Sequence, residues 1–76
     1  SVAGAITKDI FTGDGSTTSF TMSEEPDNVK NVIVYIDGVM QEPTQNYTMS
    51  GTTITTAGEA AHIGARIVVM HGFAEN

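Results

Sequence analysis

Short runs of apolar and β-branched residues recur along the chain, and residues typical of turns separate them. The strongest run is Val32–Ile36, which is followed by Asp37-Gly38 and then by a second apolar run at 39–41. Asp-Gly between two such runs favours a two-residue hairpin, because a type I′ turn needs positive φ at both central residues. We therefore predict a tight hairpin in which Ile36 opposes Val39.

A second tight hairpin is predicted around Ser50-Gly51, with Tyr47 opposite Ile54. Alternation along its two arms places Tyr47, Met49 and Ile54 together on one apolar face. The opposite face is a ladder of threonines, namely Thr48, Thr53 and Thr55.

A third hairpin is predicted near the start of the chain, where Ile10-Phe11 and Ser19–Met22 flank a glycine-containing loop at 12–18. Residues 1–7 are expected to be a free arm, and residues 8–76 a single β domain. Residues 57–64 form a connection with room for one helical turn at 58–61, and Arg66–Met70 is the last strand. No segment sustains a helical apolar period, so we expect a compact antiparallel β-sandwich or small barrel of about seven short strands.

The predicted strands carry more apolar residues than one core can hold. The first hairpin and the last strand are apolar on both sides, whereas the second hairpin is apolar on one side only. The predicted core consists of Phe20, Met22, Val34, Ile36, Tyr47, Ile54, Ile67 and Val69. The remaining apolar set is the predicted interface with other copies or other proteins, and it consists of Ile33, Tyr35, Met40, Val68 and Met70.

Composition supports an assembling role. A chain of 76 residues buries too little surface to be very stable alone, and small folds usually add disulfides, a metal or oligomerisation. The chain has no cysteine and only two histidines, so oligomerisation or docking is the expected addition. The net charge of −6 argues against binding to nucleic acid or to anionic membrane surfaces. No apolar run approaches the ~20 residues of a membrane span.

Asp14, between two glycines, is the first candidate for site chemistry. A Ca²⁺ site needs roughly six to eight oxygens, usually from several carboxylates, and this loop offers one. A phosphate-binding loop would need a following Lys and a helix, and neither is predicted. We interpret the loop as a turn and expect no metal and no cofactor.

The remaining candidates also have simpler explanations. The acidic cluster of Glu24, Glu25 and Asp27 lies on a polar connection and is typical of a solvated surface. His62 and His71 have no Ser or Cys nucleophile elbow nearby. We therefore expect no catalytic residue and no enzymatic activity.

The order of these segments resembles a small β-rich module common in virion proteins of tailed bacteriophages. The resemblance spans roughly residues 10–70 and rests on the order and spacing of segments rather than on any one of them. Its segments are Phe11–Thr21, Val34–Val39 with Gln41 and Pro43, Tyr47, Gly51–Ile54 and Gly64–Ile67. The chain departs from the pattern at Thr56, where an aromatic residue or Leu is common, and at Ala61, where Pro is common.

The resemblance implies a virion structural protein that decorates or cements the capsid or forms part of the tail or fibre. Such a protein is assembled in the host cytoplasm, resides in the virion and contacts other virion proteins. Homo-oligomerisation is expected, and the resemblance to fibres suggests a trimer. The alternative is a carbohydrate-binding or receptor-binding module of a phage fibre, in which Tyr35 and Tyr47 would stack on sugars.

Overall fold

The computed structural model describes residues 6–26 and 31–72, which form seven strands in two antiparallel sheets packed into a compact globule. The predicted all-β fold is confirmed as a small sandwich, and the alternative of a closed barrel is not. The described residues contain no α-helix, and the predicted helical turn at 58–61 is absent: residues 57–59 form bends and residues 60–61 are irregular. The strands are β1 (Thr7–Thr12), β2 (Ser19–Thr21), β3 (Ile33–Ile36), β4 (Val39–Gln41), β5 (Tyr47–Ser50), β6 (Thr53–Thr56) and β7 (Arg66–His71).

The strand order is β1-β7-β3-β4 in the larger sheet and β2-β6-β5 in the smaller one. The first strand begins at Thr7, which is inside the predicted arm, and residues 1–5 of that arm lie outside the described residues. Both sheets are therefore built from short strands that are distant in sequence, apart from the two hairpins β3–β4 and β5–β6.

The hairpin at Asp37-Gly38 is confirmed. Ile36 pairs with Val39, and the two turn residues have φ values of 51° and 81°. Positive φ at both central positions is the requirement of a type I′ turn, and Gly at the second position meets it without a steric penalty.

The hairpin β5–β6 forms with the predicted faces but in a different register. Tyr47 pairs with Thr56 rather than with Ile54, and Met49 pairs with Ile54. The turn residues are therefore Gly51 and Thr52, and Gly51 has a φ of 60°. Gly at the first central position is favoured in a type II′ turn. Since the register moves by two residues, every side chain stays on its predicted face.

The predicted hairpin between β1 and β2 is wrong. The first strand pairs with β7 and the second with β6, so the two belong to different sheets. The long loop between them lets the chain cross from one sheet to the other, whereas a two-residue turn would have held them together. Phe11 and Phe20 meet across the sandwich, with ring centroids 5.1 Å apart and planes inclined by 36°.

The core lies between the sheets and matches the prediction closely. Ile36 is the one predicted core residue that is only partly buried; it lies at the turn end of the hairpin β3–β4, directly before Asp37. Val32 and Ala65 are buried without having been predicted. The buried apolar residues are Phe20, Met22, Val32, Val34, Tyr47, Ile54, Ala65, Ile67 and Val69.

Candidate functional site

The four-stranded sheet has one face packed on the other sheet and one face directed away from it. Val34, Ile67 and Val69 are fully buried on the packed face. Because side chains alternate along a strand, their neighbours in sequence lie on the opposite face, which we call the outer face. Cross-strand pairing aligns the residues of the outer face in three rows. With the residues of each row given in the strand order β1, β7, β3, β4, the rows are Lys8, Met70, Ile33; Ile10, Val68, Tyr35, Met40; and Thr12, Arg66.

All five residues of the predicted interface lie on the outer face, in two adjacent rows. Their use as an interface remains a prediction. The structure adds Ile10, which is 45% exposed and stands beside Val68 in the central row. Ile10 was not predicted, because its strand was expected to pair with β2, whereas it pairs with β7. Met40, at the other end of that row, is 62% exposed.

Charges on the outer face are separated between its two halves. Lys8 and Arg66, the only Lys and Arg among the described residues, belong to β1 and β7. Asp37 follows β3 and stands beside Arg66, whose backbone N–H donates to the Asp37 carboxylate at 2.9 Å. Glu42 directly follows the last paired residue of β4, and continued alternation places it on the side of Met40. The β1–β7 half is therefore cationic and the β3–β4 half is anionic.

The outward face of the three-stranded sheet has a different character. It carries only hydroxyl side chains along its paired strands, and Ser19 Oγ lies 3.0 Å from Thr55 Oγ1 across two of them. Its residues are Ser19, Thr21, Thr48, Ser50, Thr53 and Thr55. Because this face has the polar composition expected of a surface in water, the apolar outer face of the larger sheet is the exception that needs an explanation.

Asp9, Ser23 and His71 form a partly buried polar cluster at the end of the sandwich away from the Asp37-Gly38 turn. Oδ2 of Asp9 accepts hydrogen bonds from the backbone N–H of Ser23 at 3.0 Å and from its hydroxyl at 3.1 Å. The same oxygen lies 2.8 Å from Nε2 of His71, whose side chain is 2% exposed. The carboxylate thus links β1, β7 and the segment after β2.

These three residue types occur in catalytic triads, but the geometry differs. In a triad the serine hydroxyl donates to the histidine, which removes its proton. Here the hydroxyl of Ser23 donates to the carboxylate instead. The arrangement serves to hold two strands and a connecting segment together. No local pattern indicates this cluster, since Asp9 and His71 are 62 positions apart in the chain.

Acid titration tests this cluster. Burial alone would raise the pKa of Asp9, but hydrogen bonds from Ser23 and His71 outweigh it and hold the pKa below the ordinary value of 3.8. As pH falls, the Asp9 carboxylate is therefore protonated at a lower pH in the native state than in the unfolded state. The stabilisation is present above about pH 4 and is lost as pH falls through the native pKa.

We expect Asp9→Asn to lower stability at neutral pH and to flatten the loss of stability as pH falls below about 4. Ser23→Ala removes one donor and leaves the backbone N–H, so it should give a smaller change of the same sign. Urea unfolding at a series of pH values measures both. An Asp9→Asn variant with the same acid slope as the parent would contradict the role of the cluster.

Asp37 and His62 form a second ionic contact at the opposite end of the sandwich. Nε2 of His62 lies 2.6 Å from Oδ2 of Asp37, and Nδ1 lies 3.0 Å from the carbonyl oxygen of Ile63. Hydrogen bonding to Asp37 and to Ile63 raises the pKa of His62. The backbone N–H of Arg66, followed by His62, lowers the pKa of Asp37. Both side chains are largely exposed, so this contact links the hairpin turn to the β6–β7 connection only weakly.

Asp14 is engaged within its own loop. Its carboxylate accepts hydrogen bonds from the hydroxyl and the backbone N–H of Thr17, both at 2.6 Å, and from the N–H of Ser16 at 2.8 Å. These bonds lower the pKa of Asp14 to about 2. Within residues 6–26 and 31–72, no three His, Cys, Asp or Glu side chains are grouped to hold a metal ion. The geometry is that of a side-chain-stabilised turn.

The acidic connection after β2 is exposed where the structure describes it. Glu24 and Glu25 are both exposed, and Oε1 of Glu24 lies 3.5 Å from the hydroxyl of Thr7. Asp27, the third predicted member of this cluster, lies outside the described residues.

Comparison with known proteins finds no matching family model and no matching curated protein. Among the described residues, no helix is long and apolar enough to cross a membrane. The outer face is therefore the feature on which a functional proposal can be built.

Proposed function

We propose that this chain is a structural protein of a bacteriophage virion. It is a non-enzymatic assembly module that decorates or cements the capsid or forms part of the tail or fibre. It is assembled in the host cytoplasm and contacts other virion proteins, including copies of itself. The single observation that carries the proposal is the apolar outer face of the four-stranded sheet, and the resemblance of the sequence to phage virion modules supports it.

The outer face supports an assembly role because it combines apolar side chains with regular strand geometry. A contiguous apolar patch on the surface of a folded domain usually marks an interaction site. Tyr35 and Val68 stand side by side at its centre, and neither is fully exposed. Rigid side chains in paired strands lose little conformational freedom when a partner covers them.

The alternative of a sugar-binding module has less support. Stacking on sugars needs exposed aromatic side chains grouped at one loop end. Tyr47 is fully buried in the core, and Phe20 is 8% exposed. Tyr35 lies within a strand on the outer face, flanked by Val68 and Met40. The described aromatic residues therefore favour packing over stacking on a ligand.

Immunogold electron microscopy of particles from the phage that encodes the chain tests the proposal. An antibody raised against the purified chain should label a fixed position on the head or tail. Mass spectrometry of gradient-purified particles should detect the chain in a constant ratio to the major capsid protein. Its absence from purified particles would overturn the proposal.

Charged substitutions on the outer face test which surface is used. We expect Tyr35→Glu and Val68→Glu to reduce incorporation into particles about tenfold, which corresponds to ~1.4 kcal/mol of binding free energy. Both positions face away from the core, so the melting temperature should change little. Thr48→Glu, on the outward face of the other sheet, is the matched control and should be incorporated like the parent. Equal incorporation of all three variants would show that another surface makes the attachment.

A further inference from the structure

We infer that the outer face is self-complementary and pairs two copies of this chain about a two-fold axis. The inference deepens the proposed function, because it rests on the outer face as an assembly surface and names its first partner. It differs from the trimer suggested by the resemblance. The order of charged and apolar residues across the four strands supports this pairing.

The charge distribution selects the axis. In a face-to-face pair, a two-fold axis parallel to the strands and between β7 and β3 places the cationic half of each copy over the anionic half of the other. Lys8 then faces Glu42 of the second copy, and Arg66 faces Asp37. An in-plane axis perpendicular to the strands would instead place cations near cations and carboxylates near carboxylates. Only the first arrangement is complementary in charge.

The same axis also matches the apolar residues row by row. Each row is carried onto itself in reverse order, so that its two ends exchange places. The resulting contacts are Ile10 with Met40, Val68 with Tyr35, and Met70 with Ile33, each formed twice. A self-complementary patch of this kind is what an isologous interface requires. Two antiparallel sheets packed face to face in nearly aligned orientation are also a common arrangement.

The size of the face sets the expected strength of the pair. Four strands about 4.8 Å apart and three rows about 6.8 Å apart cover on the order of 300 Å² in projection. Stable interfaces bury roughly 800 Å² on each partner. The dimer should therefore be weak and concentration-dependent in solution, and it would be reinforced where a particle holds many copies close together.

Lys8 and Glu42 offer the sharpest test because they cannot pair within one copy. They lie at opposite edges of the sheet, about 14 Å apart across three strand spacings. Lys8→Glu should weaken dimerisation about tenfold, since two attractive pairs become two repulsive ones. Glu42→Lys should weaken it similarly. The double variant Lys8→Glu/Glu42→Lys should restore dimerisation to near the parent level.

A second double variant controls for net charge. Lys8→Glu/Glu59→Lys has the same net charge as the parent, but Glu59 lies in the β6–β7 connection away from the outer face. It should remain as weak as Lys8→Glu alone. Sedimentation equilibrium of the purified chains at low salt, from micromolar to millimolar concentration, measures all five proteins.

Two results would overturn the inference. One is a parent chain that stays monomeric throughout the concentration series. The other is rescue by Glu59→Lys as complete as rescue by Glu42→Lys, which would show that net charge alone controls association. A chain that dimerises as expected but is absent from particles would refute the proposed function and leave this pairing intact. A chain that stays monomeric but is incorporated into particles would refute the pairing and leave the proposed function intact.

Discussion

Replacement of Ile54 by alanine is expected to lower the free energy of unfolding by about 2–5 kcal/mol. Ile54 is 1% exposed in the central strand of the smaller sheet, where it pairs with Phe20 on one side and Met49 on the other. Its side chain fills the middle of the space between the sheets. Truncation leaves a cavity that the surrounding strands can close only in part.

The effect should be large relative to the total stability of the domain. Domains have net stabilities of ~5–15 kcal/mol, and a chain of 76 residues without cysteine is expected near the lower end. Ile36→Ala provides the matched comparison, because Ile36 is only partly buried and should lose less than Ile54. Urea unfolding followed by circular dichroism measures both. Equal losses in the two variants, or a change below about 1 kcal/mol for Ile54→Ala, would contradict the assigned core.

Local signals predicted those parts of the fold that depend on local chemistry. The type I′ turn at Asp37-Gly38 needs two residues that accept positive φ, and the sequence places them between two apolar runs. The faces of β5 and β6 were predicted because alternation survives a register change of two residues. The error in register arose because Gly51 can occupy either central turn position.

Pairing between distant strands was beyond the reach of these signals. The apolar pattern of β1 is compatible with any partner, so nothing in the sequence distinguishes β7 from β2. The wrong choice hid Ile10 from the predicted interface and His71 from the core. His71 is buried because Asp9 lies next to it across the pair β1–β7, and this proximity exists only once the two ends of the chain meet.

The outer face was predictable to a greater extent. Tyr35 and Met40 follow from the hairpin at Asp37-Gly38, and Val68 and Met70 follow from alternation along the last strand. That Val68 lies in the same row as Tyr35 and Met40 could not be predicted, because it depends on the pairing of β3 with β7. The charge separation between Lys8 and Glu42 likewise appears only with the strand order, because these residues lie at the two edges of the sheet.

The second large effect is expected at Gly13, where two connections approach each other closely. A Cβ atom at this position would lie 2.4 Å from the carbonyl oxygen of His62 and 3.0 Å from Cβ of Ala61. Real Cβ atoms do not approach backbone oxygens so closely, and both contacts belong to a neighbouring loop rather than to a flexible side chain. The φ of Gly13 lies outside the left-handed region, so the steric contact is the whole reason for glycine here.

Displacement of this loop would break the hydrogen bonds that hold the two connections together. Gly13 donates to the carbonyl of Ala65 at 2.8 Å and accepts from the N–H of Gly64 at 2.9 Å. Gly15 donates to the carbonyl of Ala61 at 2.9 Å. We expect Gly13→Ala to cost about 2–4 kcal/mol, from overpacking of the contact and weakening of these bonds.

Gly58→Ala separates this steric effect from backbone strain. Gly58 has a φ of 75° with nothing within 4 Å of an added Cβ, so its replacement costs only the left-handed conformation, about 1–2 kcal/mol. Amide hydrogen exchange gives a second readout: Gly13→Ala should speed exchange at Gly15 and Gly64, whereas Gly58→Ala should not. A Gly13→Ala variant as stable as Gly58→Ala, with exchange unchanged at these amides, would contradict the close packing of the two connections. Since these connections carry His62 and lead into β7 at Arg66, loosening them should also weaken the pairing of outer faces by misplacing Arg66.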